Sequence, residues 1–485
     1  MINKIYGLDT RSISAFRLLL SVFIAAEFIL MVLGNFHDIY SPETGVLGNC
    51  FAEGYQSNYK KISAIFSIQT DGTMKFFMGS IIFTMLLVAA GFYSQFLALV
   101  GCIFLWLFFS RYQLLYFGWE MYASVMLFWL ILVPSKWSEG KEYRSPLAFA
   151  LLFQIAIIYF YNGISKNGEL WMSGKAVESF LSEVDKARPA ADWLIEKPVL
   201  TSVLTYLTLV IELGIVILFF IPVHSKKLRY LCSFLIFSLH WGVDIFVDVG
   251  NFKYVATAVS ILLLPGDAWD WLAIKFSFLK KIKRIKIPDY TLAVHAKVEK
   301  ILAISLCVFI VFVNLSQTNF SGTNDRMKQV VAILNLDRFF KKINHHALPQ
   351  CSFFSQYWHL YSPDPPGETG WMQVEFITLN NDTVAVFNGK PLRENRFHSV
   401  VQRNLFNYLL LKKGRNKKDQ IAERCVLMRE IKLWNKGSNP EISSAQLVIY
   451  NRVYEPEKWK NNLQPGFTRI PYKVIDINYK SHGVK

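Results

Sequence analysis

Apolar residues run in long blocks through the first two thirds of this chain, separated by short loops that collect lysine and arginine. Blocks of about 17 to 25 apolar residues match the length of a helix that crosses a bilayer's hydrocarbon core. Candidate spans lie at 13–34, 74–92, 95–114, 120–134, 146–163, 201–222, 229–249, 252–267 and 299–316. The first, Ile13 to Leu33, is too long for the apolar part of a cleavable signal and no small-residue cleavage motif follows it, so a retained span is expected. From about residue 317 the pattern changes to mixed charge and turn clusters such as Ser362-Pro-Asp-Pro-Pro-Gly367. Trp371 to Phe376 and Thr383 to Phe387, joined through Asn380-Asn-Asp382, predict a β-hairpin. Helices are expected near 401–412 and 418–435, and a strand near 444–454. The fold class expected is mainly α: a polytopic transmembrane helical bundle of about eight to nine spans, then a small α+β extramembrane domain. The division is 1–272 for the membrane domain, 273–316 for a basic loop and last span, and 317–485 for the extramembrane domain.

Loop charge predicts the orientation. Lys136, Lys141 and Arg144 fall after the fourth block, Lys226, Lys227 and Arg229 after the sixth, and Lys275 through Lys286 after the eighth. These are alternate loops, so they share one side with Lys4 and Arg11, and the positive-inside rule assigns that side to the cytoplasm. Nine spans then put the tail on the outer face. Composition agrees with a membrane protein: 53% of 485 residues are hydrophobic, with 40 Phe, 22 Tyr and 13 Trp. The net charge of +16 would suit nucleic acid, but its placement in short loops suits an anionic membrane face instead, so no nucleic-acid partner is expected.

The six cysteines show no CxxC and no metal-ligand spacing, so no metal is expected. Cys102, Cys232 and Cys307 lie in apolar blocks and read as packing residues. Cys50, Cys351 and Cys425 lie in polar segments that the orientation places in one oxidising compartment. A Cys351–Cys50 bond is favoured, with Cys351–Cys425 as the alternative.

Ionisable residues inside the apolar blocks carry the chemistry. Each costs about 2.5–3.5 kcal/mol at the bilayer centre, so each is a site candidate by default. His240, Asp244 and Asp248 stand at i, i+4 and i+8, which stacks them on one helix face, as a buried polar stripe or as a site. Asp244 is placed to orient His240, a hydrogen-bond donor or proton shuttle. Lys166 emerges where the fifth span meets the outer interface, near Trp171. It either snorkels to water or is desolvated enough to take a proton as a neutral amine. Glu212 and Glu27 are further intramembrane acids, Arg17 is a structural partner for an acid, and Glu120 opens the fourth span. Asn251 follows Gly250 at the outer end of the seventh span. Lys166, His240 and Glu120 are expected to converge on one apolar-walled pocket, with Trp171, Asp244 and Asn251 beside it.

Four ordered stretches resemble one family. They are Asp9-Thr-Arg-Ser-Ile-Ser-Ala-Phe-Arg17; Tyr40-Ser-Pro-Glu-Thr-Gly45-Val-Leu; Tyr159…Gly163…Lys166…Trp171…Gly174; and Leu204 to Glu212 followed by His240…Gly250-Asn-Phe252 and Leu263-Leu-Pro265. Together, over residues 8 to about 272, they resemble the horizontally transferred transmembrane (HTTM) domain of vitamin K-dependent γ-glutamyl carboxylases and their bacterial relatives. Trp358 to Pro366 and Gly370-Trp371 are similar to the extramembrane domain of bacterial members. The resemblance implies a bacterial inner-membrane location and a reduced quinone of the vitamin K hydroquinone type. It implies Lys166 as the group that deprotonates that quinol, and a secreted peptide or protein substrate. Carboxylases carry an Asn-His pair where this chain has Phe117-Gly-Trp-Glu120, and Glu120 stands there for the acid of bacterial relatives. The alternative is a non-carboxylating factor for maturation or export of a secreted peptide. A transporter would show inverted repeats with broken helices, and none is visible.

Overall fold

The computed structural model describes residues 6–34, 36–49, 68–112, 115–116, 118–134, 141–182, 187–221, 225–276, 296–318, 364–365, 368–388, 417–436, 439–453 and 468–476. The chain is mainly helical. Strand β1 (Leu8–Asp9) leads into α1 (Thr10–Leu33), then α2 (Asp71–Ala90), α3 (Ser94–Arg111) and α4 (Trp119–Leu132). Strand β2 (Glu142–Tyr143) precedes α5 (Pro146–Ser165). Three short helices follow, α6 (Glu169–Met172), α7 (Ala176–Leu181) and α8 (Pro189–Ile195). Then come α9 (Pro198–Phe220), α10 (Ser225–Phe246), α11 (Phe252–Leu262), α12 (Gly266–Lys275) and α13 (Ala296–Thr318).

Helices stand at all nine predicted blocks. Six of them, α1, α2, α3, α5, α9 and α13, are long and apolar enough to cross a membrane. The helices α4 and α11 are shorter apolar helices, and α10 carries Lys226, Lys227, Arg229 and Asp244 within its length. Local chemistry marks the helix starts. Asp9 accepts the Arg11 backbone N–H at 2.9 Å ahead of α1, and Ser145 accepts that of Leu147 at 3.0 Å ahead of α5, with Pro146 in the first turn.

Packing sorts the helices by their apolar faces. The helix α4 is apolar all round and buried along most of its length, so it forms the interior against α1, α3 and α11. By contrast α9 exposes Val199, Val203, Val210 and Ile217, an apolar outer face suited to lipid tails. The helix α5 packs between α9 and α13, and α10 between α9 and α11.

One end of the helices gathers the basic segments. The strands β1 and β2 pair antiparallel, and Arg229 donates to the Gly7 carbonyl. Arg11 reaches Asp9, Asp270 and the Gly266 carbonyl, while Tyr143 and Ser145 donate to Glu299. The sheet domain sits at the opposite end. It contains β3 (Glu368–Thr378), β4 (Thr383–Asn388), α14 (Lys417–Trp434), β5 (Ile442–Val453) and β6 (Thr468–Asp476). The antiparallel strand order is β4-β3-β5-β6, and α14 packs on β5. The β3–β4 hairpin, α14 and β5 match expectation, β6 was not anticipated, and the helix expected at 401–412 lies outside the described residues.

Cys425 is disulfide-bonded, while Cys102, Cys232 and Cys307 are free. Its partner is therefore Cys50 or Cys351, both outside the described residues, and the favoured Cys351–Cys50 bond gives way because Cys425 takes one of the two.

Candidate functional site

Three helices build a buried polar centre at the sheet-domain end. Asn162 and Lys166 are four residues apart, so the end of α5 presents both to one neighbour. Gly163 allows that neighbour in: a Cβ there would meet the Leu213 side chain of α9 at 2.9 Å. The close approach brings Glu212 against them. Lys166 Nζ donates to both Glu212 carboxylate oxygens, and Asn162 Nδ2 donates to Oε1 at 2.6 Å. The Lys166 and Glu212 side chains are each only 4% exposed, and the ammonium lies 5.1 Å from the Trp171 ring centroid. One turn back on α5, the Tyr159 hydroxyl shares a 3.0 Å hydrogen bond with His240 Nε2 of α10. The His240 ring stacks on Phe252 at 4.8 Å.

These groups line one end of a cavity of about 350 Å³. Its other walls are apolar, among them Ile158, Phe180, Leu204, Val243 and Phe246, and Pro365 of the tail also borders it. Asp364 fixes that tail segment, accepting the backbone N–H groups of Leu170 at 2.8 Å and Trp171 at 3.2 Å. It thereby caps α6, whose own N-cap, Gly168, offers no side chain. Asp364→Ala is expected to lower stability by about 1 kcal/mol, the usual loss of a helix cap. Thermal unfolding in nanodiscs checks it, and an unchanged midpoint rejects the cap.

Three expectations need correction. Glu120 does not share the Lys166 cavity. It is buried at the start of α4 and lines a second cavity, of about 560 Å³, with Glu27, Asp248 and Asn251. Asp244 does not orient His240. It pairs with Lys253 Nζ and with Arg188, the latter at 2.8 Å. Nor does Asp248 continue the helical stripe, because α10 ends at Phe246, and Asp248 instead lies 3.7 Å from Arg188. Arg17 sits beside Gly91 and donates to the Ala89 carbonyl at 3.5 Å. Glu212, read as structural, is instead the direct partner of Lys166, while Trp171 does stand at the site.

Sequence reasoning missed Asn162, Tyr159, Lys253 and Arg188. Asn162 had a signal, since it lies one turn before Lys166. Lys253 had one too, as a lysine opening an apolar block. Arg188 reaches Asp244 from a loop between short helices, and no spacing announces that.

A buried ion pair closed by a third donor can hold or pass a proton without leaving a lone charge in an apolar wall. Comparison with family models, curated proteins and solved structures finds no match for this chain.

Proposed function

We propose that this chain is an integral membrane protein of the HTTM type, its helices bundled as eight or nine spans, that performs acid–base chemistry on a lipid quinol and modifies an exported polypeptide as γ-glutamyl carboxylases do. The observation that carries this reading is the buried Lys166–Glu212–Asn162 centre at the end of an apolar cavity.

The residues fit a quinol. Polar donors and acceptors cluster at one end of the cavity, and aliphatic and aromatic walls suit a prenyl tail. Asn162, Lys166 and His240 would hold the head group. A reduced quinone supplies an ionisable hydroxyl and, once oxygenated, the strong base that carboxylation of a glutamate side chain requires. Lys166, already paired with a carboxylate, offers N–H donors and positive charge. Glu212 is the group with basic lone pairs, so it accepts a proton at a carboxylate oxygen in place of the neutral lysine expected from sequence. Tyr159, in place of Asp244, holds the His240 ring, and Trp171 covers the ammonium.

The full chain in nanodiscs, given menaquinol, tests this by oxygen uptake, with mass spectrometry of a co-expressed glutamate-rich peptide as second readout. Lys166→Ala is expected to reduce uptake about 100-fold or more. The joint Lys166→Met, Glu212→Leu variant removes both charges together and separates chemistry from folding. Uptake equal in this variant and the native chain would overturn the reading.

A second reading, a non-carboxylating maturation or export factor, is favoured by one observation: Glu120 faces a different cavity from Lys166. Oxygen uptake without any carboxylated peptide would support it.

This reading puts the N-terminus in the cytoplasm and the sheet domain outside, in a bacterial inner membrane. The gathering of the basic segments at the end opposite the sheet domain supports this, as does the Cys425 disulfide, a bond that persists in oxidising compartments. Reporter fusions at residue 370 are expected to be active only outside, and a cytoplasmic signal there would reverse the assignment.

A further inference from the structure

The second cavity has a chemistry of its own. Glu27, Glu120 and Asp248 line it, and among the described residues no lysine, arginine or histidine does. Asp248 has Arg188 at 3.7 Å as a partial counter-charge, but among the described residues no cation pairs with Glu27. Glu27 is 3% exposed, in the second half of α1. Asn251 Nδ2 donates to its Oε1, while Oε2 is buried with no hydrogen-bond partner among the described residues. A buried carboxylate with an unfilled oxygen is strongly disfavoured unless a cation or a proton joins it. Lys253, two residues after Asn251, is held by Asp244 and is not among the residues that line this space, although its ammonium lies over two of the wall rings.

The walls say what kind of cation fits. Phe23, Trp119, Trp241 and Tyr254 form a joined aromatic wall. Phe23 stands 5.5 Å from Trp119 and 5.1 Å from Tyr254, and Trp241 stands 6.0 Å from Tyr254, centroid to centroid. Trp241 and Tyr254 already face the Lys253 ammonium, each ring centroid 5.1 Å from Nζ, which leaves Phe23 and Trp119 to face an organic ammonium in the cavity. On the α1 side the lining includes Leu19, Val22 and Leu30, which are also exposed on the outer apolar surface. The cavity therefore has an acidic, aromatic interior and an apolar border at the helix exterior. The aromatic faces and the apolar border fit an organic cation.

We propose that this cavity binds the primary ammonium group of an amphiphile, with Glu27 Oε2 as its carboxylate partner and the apolar tail leaving past Leu19, Val22 and Leu30. The ammonium comes either from a free long-chain amine or from the head group of an aminophospholipid.

The test uses the full chain in phosphatidylcholine nanodiscs and the probe pair dodecylamine and dodecanol, read by thermal unfolding and by quenching of tryptophan emission. Dodecylamine is expected to bind at least about tenfold more tightly than dodecanol, the worth of one charge-assisted hydrogen bond. Glu27→Gln, which keeps the side-chain shape and the Asn251 neighbour, is expected to erase that preference. Tyr159→Phe, which alters only the first cavity, is expected to leave it intact. Replacing part of the bilayer with phosphatidylethanolamine distinguishes the sources: competition with dodecylamine assigns the site to the lipid head group, and no competition assigns it to free amines. Equal binding of amine and alcohol by the native chain overturns the proposal without any variant having to fold. A preference that survives Glu27→Gln, or that falls with Tyr159→Phe, overturns it as well.

Discussion

Alanine at Lys166 is expected to lower stability by about 3–5 kcal/mol, because Glu212 would remain as a buried carboxylate without its cation. Alanine at Glu212 strands the ammonium and is expected to cost about as much. Removing both charges with Lys166→Met and Glu212→Leu should recover most of the loss, since well-packed apolar pairs often match or exceed a buried ion pair in stability. With the single variants Lys166→Met and Glu212→Leu added, the native chain, these two and the double variant form a double-mutant cycle, read by unfolding midpoints in one type of nanodisc. If the two single losses simply add in the double variant, the pair is not coupled and the site is wrongly built. Such losses are also why activity should be compared through the double variant, where folding and proton handling come apart.

Gly45→Ala is the second large effect, at about 3 kcal/mol. A Cβ at Gly45 would stand 2.5 Å from the Ile39 carbonyl oxygen and 2.7 Å from that of Ser41, both backbone atoms with little room to move. The loop is tied on every side. The Tyr112 hydroxyl donates to the Tyr40 carbonyl at 2.6 Å, Ser41 Oγ donates to Asp71 at 2.6 Å, and Arg429 of α14 donates to the Thr44 carbonyl. A shift there disturbs the start of α2 and the seat of the sheet domain together. Gly72→Ala is the control: a Cβ there meets nothing within 4 Å, and in the first turn of α2 it is expected to be neutral or slightly stabilising. Equal unfolding midpoints for the two variants would show that the loop can relax.

Much of the helical plan could be read from hydropathy alone, because apolar block length and helix length are tied by the same rise per residue. All nine blocks hold helices for that reason. Span number is harder, since α10 mixes an apolar run with Lys226, Lys227, Arg229 and Asp244. The hairpin at 368–388 announced itself by alternation around Asn380-Asn-Asp382, but β6, Thr468–Asp476, holds Pro471 and carries a weak signal at a sheet edge. At the site, spacing showed which residues share a helix face and stayed silent on which helix lies opposite. Asp244 thus seemed the partner of His240 one turn away, yet its partners come from α11 and from the loop before α8. Lys166 and Glu212 are 46 residues apart, and only the α5–α9 contact at Gly163 joins them.

That separation bears on how the chain enters its membrane. The helix α5 is synthesised first, and its terminal lysine can stay near the water boundary by stretching its side chain outward. Glu212 sits in the middle of α9, with no basic residue in that helix to offset it. A lone acid at that depth hinders partitioning into lipid by a few kcal/mol. When α9 leaves the ribosome, the finished end of α5 offers the missing counter-charge, and the three short helices α6 to α8 supply the slack that lets the two meet. Insertion of α9 is thus expected to be easier once α5 is in place, which would make order of synthesis part of how this protein is made.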